Sequence, residues 1–308
     1  MEINYAPTAF QLLRGCFCIY KPSLKGYAKT QLAIRQKLTQ ELNQMEVRPP
    51  RKFIQITGNL DSISKSNPLE VQVQTNLADH PLVCGPRYNE DHLQLKLIYN
   101  IGYFPSGIMI GLIGNEAKNY SKYNFRFPRI YEIKGEFGLA TDNFRIDGKV
   151  RVKATFKHIV RESFERILAK IEAAQRSSMY KIAGVDLQSE EAYQFAKKGL
   201  IIPPGQTLPI IYAIRSVNFD LPNFTIQIQC YNENEHFLAE LCNEIGLALK
   251  SVARCTGIRL IKYGPFGIDD ALLEKHWTLE NMIENIAHCN QIVDRLKLRS
   301  YSRRSSSS

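Results

Sequence analysis

The chain has 308 residues, 44% of them hydrophobic, enough to bury one large core, and no compositional break in the body marks a second domain. Its longest uncharged apolar stretch, Ile98 to Asn115, is interrupted by Tyr, Asn, Pro, Ser and four Gly, which argues against membrane insertion. The formal charge of +10 is half a property of the terminus, since Arg295, Lys297, Arg299, Arg303 and Arg304 lie in an acid-free stretch at the end of the chain, so the body is only modestly basic.

The first residues, Met1 to Arg14, are too short and too weakly basic a stretch to mark a transit peptide, which leaves targeting open. Cys16 to Tyr20 reads as a strand that stops at Lys21-Pro22, because proline cannot donate to a ladder. Cys16 and Cys18 alternate there, and the seven cysteines form no CxxC pair, which points to reduced core thiols in a reducing compartment. Leu32, Leu38, Leu42 and Met45 recur at helical spacing over Lys29 to Met45, and the basic, proline-stiffened Arg48 to Lys52 ends that helix. Asn59 to Asn76 alternates as a hairpin would, and about 23–79 reads as a helical and basic insertion.

Ile108 to Ile113 fits a central strand, with a buried helical turn as the alternative. Tyr123, Phe125 and Phe127 alternate with polar residues, and Lys118, Lys122, Arg126 and Arg129 thread through them. This pattern suits either an RNA-facing surface of stacking rings and phosphate partners or a half-buried strand with a solvated basic face. Phe164, Ile167, Leu168 and Ile171 mark one amphipathic helix, and Phe237 to Leu249 a second; between them Pro209 to Phe219 and Phe224 to Cys230 read as strands around a turn at Leu221-Pro222-Asn223. Strands and helices interleave without a βαβ repeat, so the expected fold is α+β, a mixed and largely antiparallel central sheet flanked by helices over residues 1–294. Residues 295–308, basic and Ser-rich, read as a disordered tail.

No P-loop, GxSxG, HExxH or GxGxxG is present, and the six histidines show no ligand spacing, so neither a cofactor nor a metal is expected. Three separated segments carry a resemblance. Gly15 to Pro22 is similar to the opening strand of the TruB pseudouridine synthases; Tyr131 followed by Gly138 to Asp142 and Asp147-Gly148 resembles their tyrosine strand and Thr-Asp loop; Cys255 to Arg259 with Gly264 to Leu272 resembles their closing segments. His80 to Pro86, Ala140 to Gly148 and Asp269 to Leu273 resemble the animal mitochondrial members that act on messenger RNA. The chain ends too soon for the carboxy-terminal PUA-type RNA-binding domain of bacterial relatives, as expected for the mitochondrial type.

The resemblance implies an RNA partner, a location in the mitochondrial matrix, and a flipped uridine attacked by an aspartate that an arginine keeps ionised. Aligned on Ser106-Gly107, the family aspartate falls on Gly102; counted back from Glu244-Ile245-Gly246, the arginine falls on Ala239, so both members of the pair are gone. Glu90, Asp91 and Asp142 are the substitutes weighed if the register slips. Tyr131 is at the base-stacking position or is a packed strand tyrosine, while Lys21 and Arg259 hold the RNA backbone or complete local turns. The resemblance therefore leaves three readings: an RNA-binding homologue with impaired isomerase activity, an active synthase using another carboxylate, or a structural partner in a mitochondrial ribonucleoprotein assembly.

Overall fold

The computed structural model describes residues 5–48, 52–57, 70–75, 78, 81–118, 127–182, 184–186, 188–198 and 208–305. In chain order these form α1 (Ala6–Leu12), β1 (Gly15–Lys21), α2 (Tyr27–Gln44), β2 (Lys52–Thr57), β3 (Glu70–Thr75), α3 (Pro81–Cys84), β4 (Leu95–Leu97), β5 (Ser106–Ile113), α4 (Asn115–Lys118), β6 (Arg129–Phe137), β7 (Leu139–Thr141), β8 (Val150–Lys153), α5 (Arg161–Ile182), α6 (Glu190–Lys198), β9 (Ile210–Asp220), β10 (Asn223–Tyr231), α7 (Glu235–Ala248), β11 (Ala253–Tyr263), β12 (Phe266–Gly267) and α8 (Leu279–Ser305).

The fold is α+β. Its eight-stranded sheet runs β1-β5-β11-β6-β10-β9, with β4 paired to β5 and β12 to β11; all neighbours are antiparallel except β5 and β11. β1 and β5 are buried almost continuously, as strands covered on both faces must be, with α8 packed against β1. β6 and β10 instead alternate, one face packed and the other partly open. The register sets Phe17 opposite Gly111, where the ring lies over a backbone that carries no side chain; a Cβ there would collide with it.

α2, expected from Lys29 to Met45, is present, and its Ile34, Leu38 and Leu42 lie in the same core as β1 and β5. The hairpin expected over Asn59 to Asn76 is displaced: β2 starts in the basic linker, at Lys52, where Ile54 and Ile56 pair across to Val73 and Val71. Residues 58–69 lie outside the described part. α8 continues to Ser305, into the segment expected to be disordered, because Leu296, Lys297, Leu298 and Arg299 are good helix formers with no Gly or Pro to stop them. Among the described residues no helix is long and apolar enough to cross a membrane.

Candidate active site at the Gly102 loop

Three chain segments converge at the start of β5. One is the loop Tyr99 to Pro105, the second is the turn Asn232 to Glu235 that joins β10 to α7, and the third is the loop from Asp142 to Lys149 between β7 and β8. This third loop is pinned to the sheet by reciprocal backbone bonds, Cys255 N to Phe144 O at 2.7 Å and Ile146 N to Cys255 O at 2.9 Å.

Asn234 caps α7, its side chain accepting from Phe237 N at 2.8 Å, which makes Glu235 the first helical residue. A carboxylate is favoured there by the amide dipoles of the helix start. Glu235 accepts from Tyr103 N at 2.9 Å and from Arg145 Nη1. Arg145 is held in turn by Asp147 through two bonds of 3.1 Å, and its guanidinium lies 5.2 Å from the Phe104 ring centre. Gly102 has φ +94, in the left-handed region that disfavours side chains, and a Cβ built on it would overlap Glu235 Oε2.

Lys21 clasps the same loop from the other side. Its Nζ donates to Pro105 O at 2.7 Å, Pro22 O at 3.0 Å and Tyr103 O at 3.3 Å. Burial pushes its pKa down from 10.5 to about 8; the charge of Glu235 opposes that shift and Lys25 adds to it.

Two residues before Glu235, Glu233 is buried. It accepts from Tyr131 Oη at 2.6 Å and from Arg129 through both Nε and Nη2, and Tyr99 Oη donates to its backbone carbonyl at 2.8 Å. The Arg129 guanidinium stacks 3.9 Å from the centre of Tyr99 and 5.4 Å from that of Tyr263. Burial and then the Glu233 charge push the Tyr131 hydroxyl well above the usual tyrosine range. Burial opposes the charge on Arg129, and the hydrogen bonds and charge of Glu233 more than offset it.

The basic residues read from the sequence as RNA contacts therefore separate. Lys21 and Arg129 are not on the surface: both are buried, the one on loop carbonyls and the other on Glu233. Tyr131 is 1% exposed, so in this conformation neither face of its ring is open to a base. Arg259 is half-buried on β11, its guanidinium 5.6 Å from the Tyr20 ring. Lys118 is exposed at the end of α4, in a groove with Arg35 and Lys96 that contains no residue of the Gly102 loop. Lys122 and Arg126 lie outside the described residues. Ala239 is fully buried one helical turn after Glu235. Asp142 accepts from Lys149 N and faces Arg151 at 3.8 Å, while Glu90 and Asp91 open a single 3-10 turn. The carboxylate beside Gly102 is Glu235.

Residues 103–234 match the family model of the TruB pseudouridylate synthases, N-terminal domain. The chain is 36% identical to the mitochondrial pseudouridylate synthase TRUB2 of Xenopus tropicalis, over 93% of this chain and 88% of that protein. It is 32% identical to human TRUB2, over 89% and 83%. The chain belongs to the TruB family. An archaeal Cbf5 in complex with Nop10, from a box H/ACA particle, superposes at a TM-score of 0.47 with 12% identity, over 90% of this chain and 55% of that one. The match to the TruB model begins just after Gly102 and stops just before Glu235, so the two residues in contact at the site flank it on either side.

Proposed function

We propose that this TruB-family chain binds uridine-bearing RNA in the mitochondrion and that the family's aspartate-initiated isomerisation is impaired in it. The observation that carries this reading is Gly102. The position aligned with the family aspartate has no side chain, a left-handed backbone, and a neighbouring carboxylate in the space that a side chain would need. The names of its relatives, mitochondrial pseudouridylate synthases, support the substrate class and the compartment. The loss is chemically coherent because removing both members of a buried ion pair is nearly neutral, whereas removing one costs on the order of 3–5 kcal/mol.

Residues 1–294 supply the binding domain in this reading, and the basic segment 295–308 adds charge for the phosphate backbone. Titration of fluorescent RNA with the purified protein at rising salt tests it. Affinity falls linearly on a logarithmic scale as counterions are released, and truncation after Asp294 makes the slope shallower. Undetectable binding, or affinity indifferent to salt, would overturn the reading.

A further inference from the structure

The chain lacks a carboxylate at position 102 yet places one beside it. Glu235 Oε2 occupies the space into which a side chain at 102 would project, and Glu235 pairs with Arg145. Both halves of a carboxylate–guanidinium couple are thus present, but they come from the start of α7 and the β7–β8 loop. We propose that Glu235, held by Arg145, is this chain's own initiating carboxylate, a replacement that leaves slow uridine isomerisation in place of the lost aspartate route. The inference rests on the reading above that this chain binds uridine-bearing RNA, and adds that the RNA reaches the Gly102 loop.

The surroundings distinguish Glu235 from its neighbours. Glu233 is 4% exposed and its carboxylate is committed to Arg129 and Tyr131, so it cannot reach a substrate without breaking that cage. Asp147 is bound to Arg145 but not to the Gly102 loop. The Glu235 side chain is 18% exposed and lies next to Tyr103, which is 53% exposed, so its carboxylate stands at the boundary between the folded loop and solvent. The Arg145 guanidinium pairs with one carboxylate oxygen, and the Tyr103 N–H fixes the other. Glycine at 102 has a positive role here, since any side chain would displace the carboxylate.

The chemistry balances without a co-reactant. A Glu235 oxygen gives an electron pair to ribose C1′ as N1 leaves with the pair of the N1–C1′ bond. The uracil turns, C5 attacks C1′ and expels the carboxylate. The C5 proton passes to solvent, and N1 takes one up. Each turnover therefore releases the hydrogen on C5.

Transcripts covering a mitochondrial genome, made with [5-³H]uridine, are incubated with excess full-length protein, and tritium in the water is counted. Wild type is expected to release tritium slowly. Glu235→Gln, which keeps the shape and an acceptor for Tyr103 N–H but loses the charge, is expected to cut the rate at least about 100-fold. The same variant should change RNA affinity less than about threefold and leave the melting temperature near that of wild type, and Glu235→Asp should recover part of the rate. A merely structural Glu235 would make rate follow melting temperature across the three proteins, which overturns the proposal. So does an absence of tritium release from RNA that the protein demonstrably binds, an outcome that leaves the RNA-binding reading standing. Failure to bind RNA at all overturns both.

Discussion

Glu233 and Glu235 are two residues apart and live in different solvents. Glu233 lies in a dry cage of Arg129, Tyr99 and Tyr131, where each partner is locked by the others. Glu235 has a comparable set of partners, an arginine and a backbone amide, but both it and Arg145 keep part of their surface in water. The same side chain is therefore structural in one place and available in the other, and what differs is access to water more than the identity of the partners. Charge pairs stabilise least where water can reach them, and there they are free to do something else.

The largest effect expected is at Glu233. Substituting Glu233→Ala leaves Arg129 charged and buried without its counter-ion, at a cost of about 3–5 kcal/mol in urea unfolding. A cost under about 1 kcal/mol would mean that water enters the cage, and the contrast with Glu235 would collapse. Adding Arg129→Met to that variant should recover part of the loss, with a coupling of about 0.5–3 kcal/mol.

Next comes the clasp beneath the loop. The pKa of Lys21 is lowered in the folded state, from 10.5 to about 8. Below pH 8 both states hold the proton, and the folded state bears the whole cost of the buried ammonium. Between about 8 and 10.5 the unfolded chain binds more protons than the folded one, so stability rises with pH; above that the gain is complete. Relative to Lys21→Met, wild type should gain on the order of 2–3 kcal/mol across this interval. A flat difference between the two proteins would show that Lys21 is solvated.

A smaller loss is expected from Gly102→Ala. The left-handed backbone accounts for about 1–2 kcal/mol, and collision with Glu235 adds to it. In a Glu235→Ala background the overlap with the carboxylate is gone, leaving the backbone part and the 3.1 Å approach to the Cβ of residue 235, so strictly additive melting shifts would show that residue 102 does not meet the Glu235 carboxylate. The least effect is expected from Glu235→Ala alone, under about 1 kcal/mol because the pair is partly exposed. A larger loss would place Glu235 with the structural glutamate.

The main elements were legible where burial imposes a period. β1, α2, β5, α5 and α7 all fall where their apolar spacing puts them, because a strand or helix must turn its apolar residues one way. The missing side chain at Gly102 could also be read along the chain. Its neighbour could not, since Tyr103 and Glu235 are 132 positions apart and no local pattern marks the first residue of a capped helix as part of a site. The alternatives left open at Lys21 and Arg129 could not be resolved along the chain, for a physical reason. A charged side chain belongs on the surface unless it is paired, and the partners of these two are loop carbonyls and a distant glutamate that no spacing reveals.

The order of the sheet bears on how the molecule is made. β11 lies between β5 and β6, so the middle of the sheet is filled by one of the last strands to leave the ribosome. A nascent chain that has emerged only through α7 holds β1 with β5 and β6 with β10 as separate ladders, with the edge of β6 and the start of β5 facing the vacant slot unpaired. Such edges recruit other strands. Chains cut or stalled before Ala253 should therefore be lost to aggregation, and the stretch 103–234 that matches the family model leaves out β1 and β11 of the same sheet.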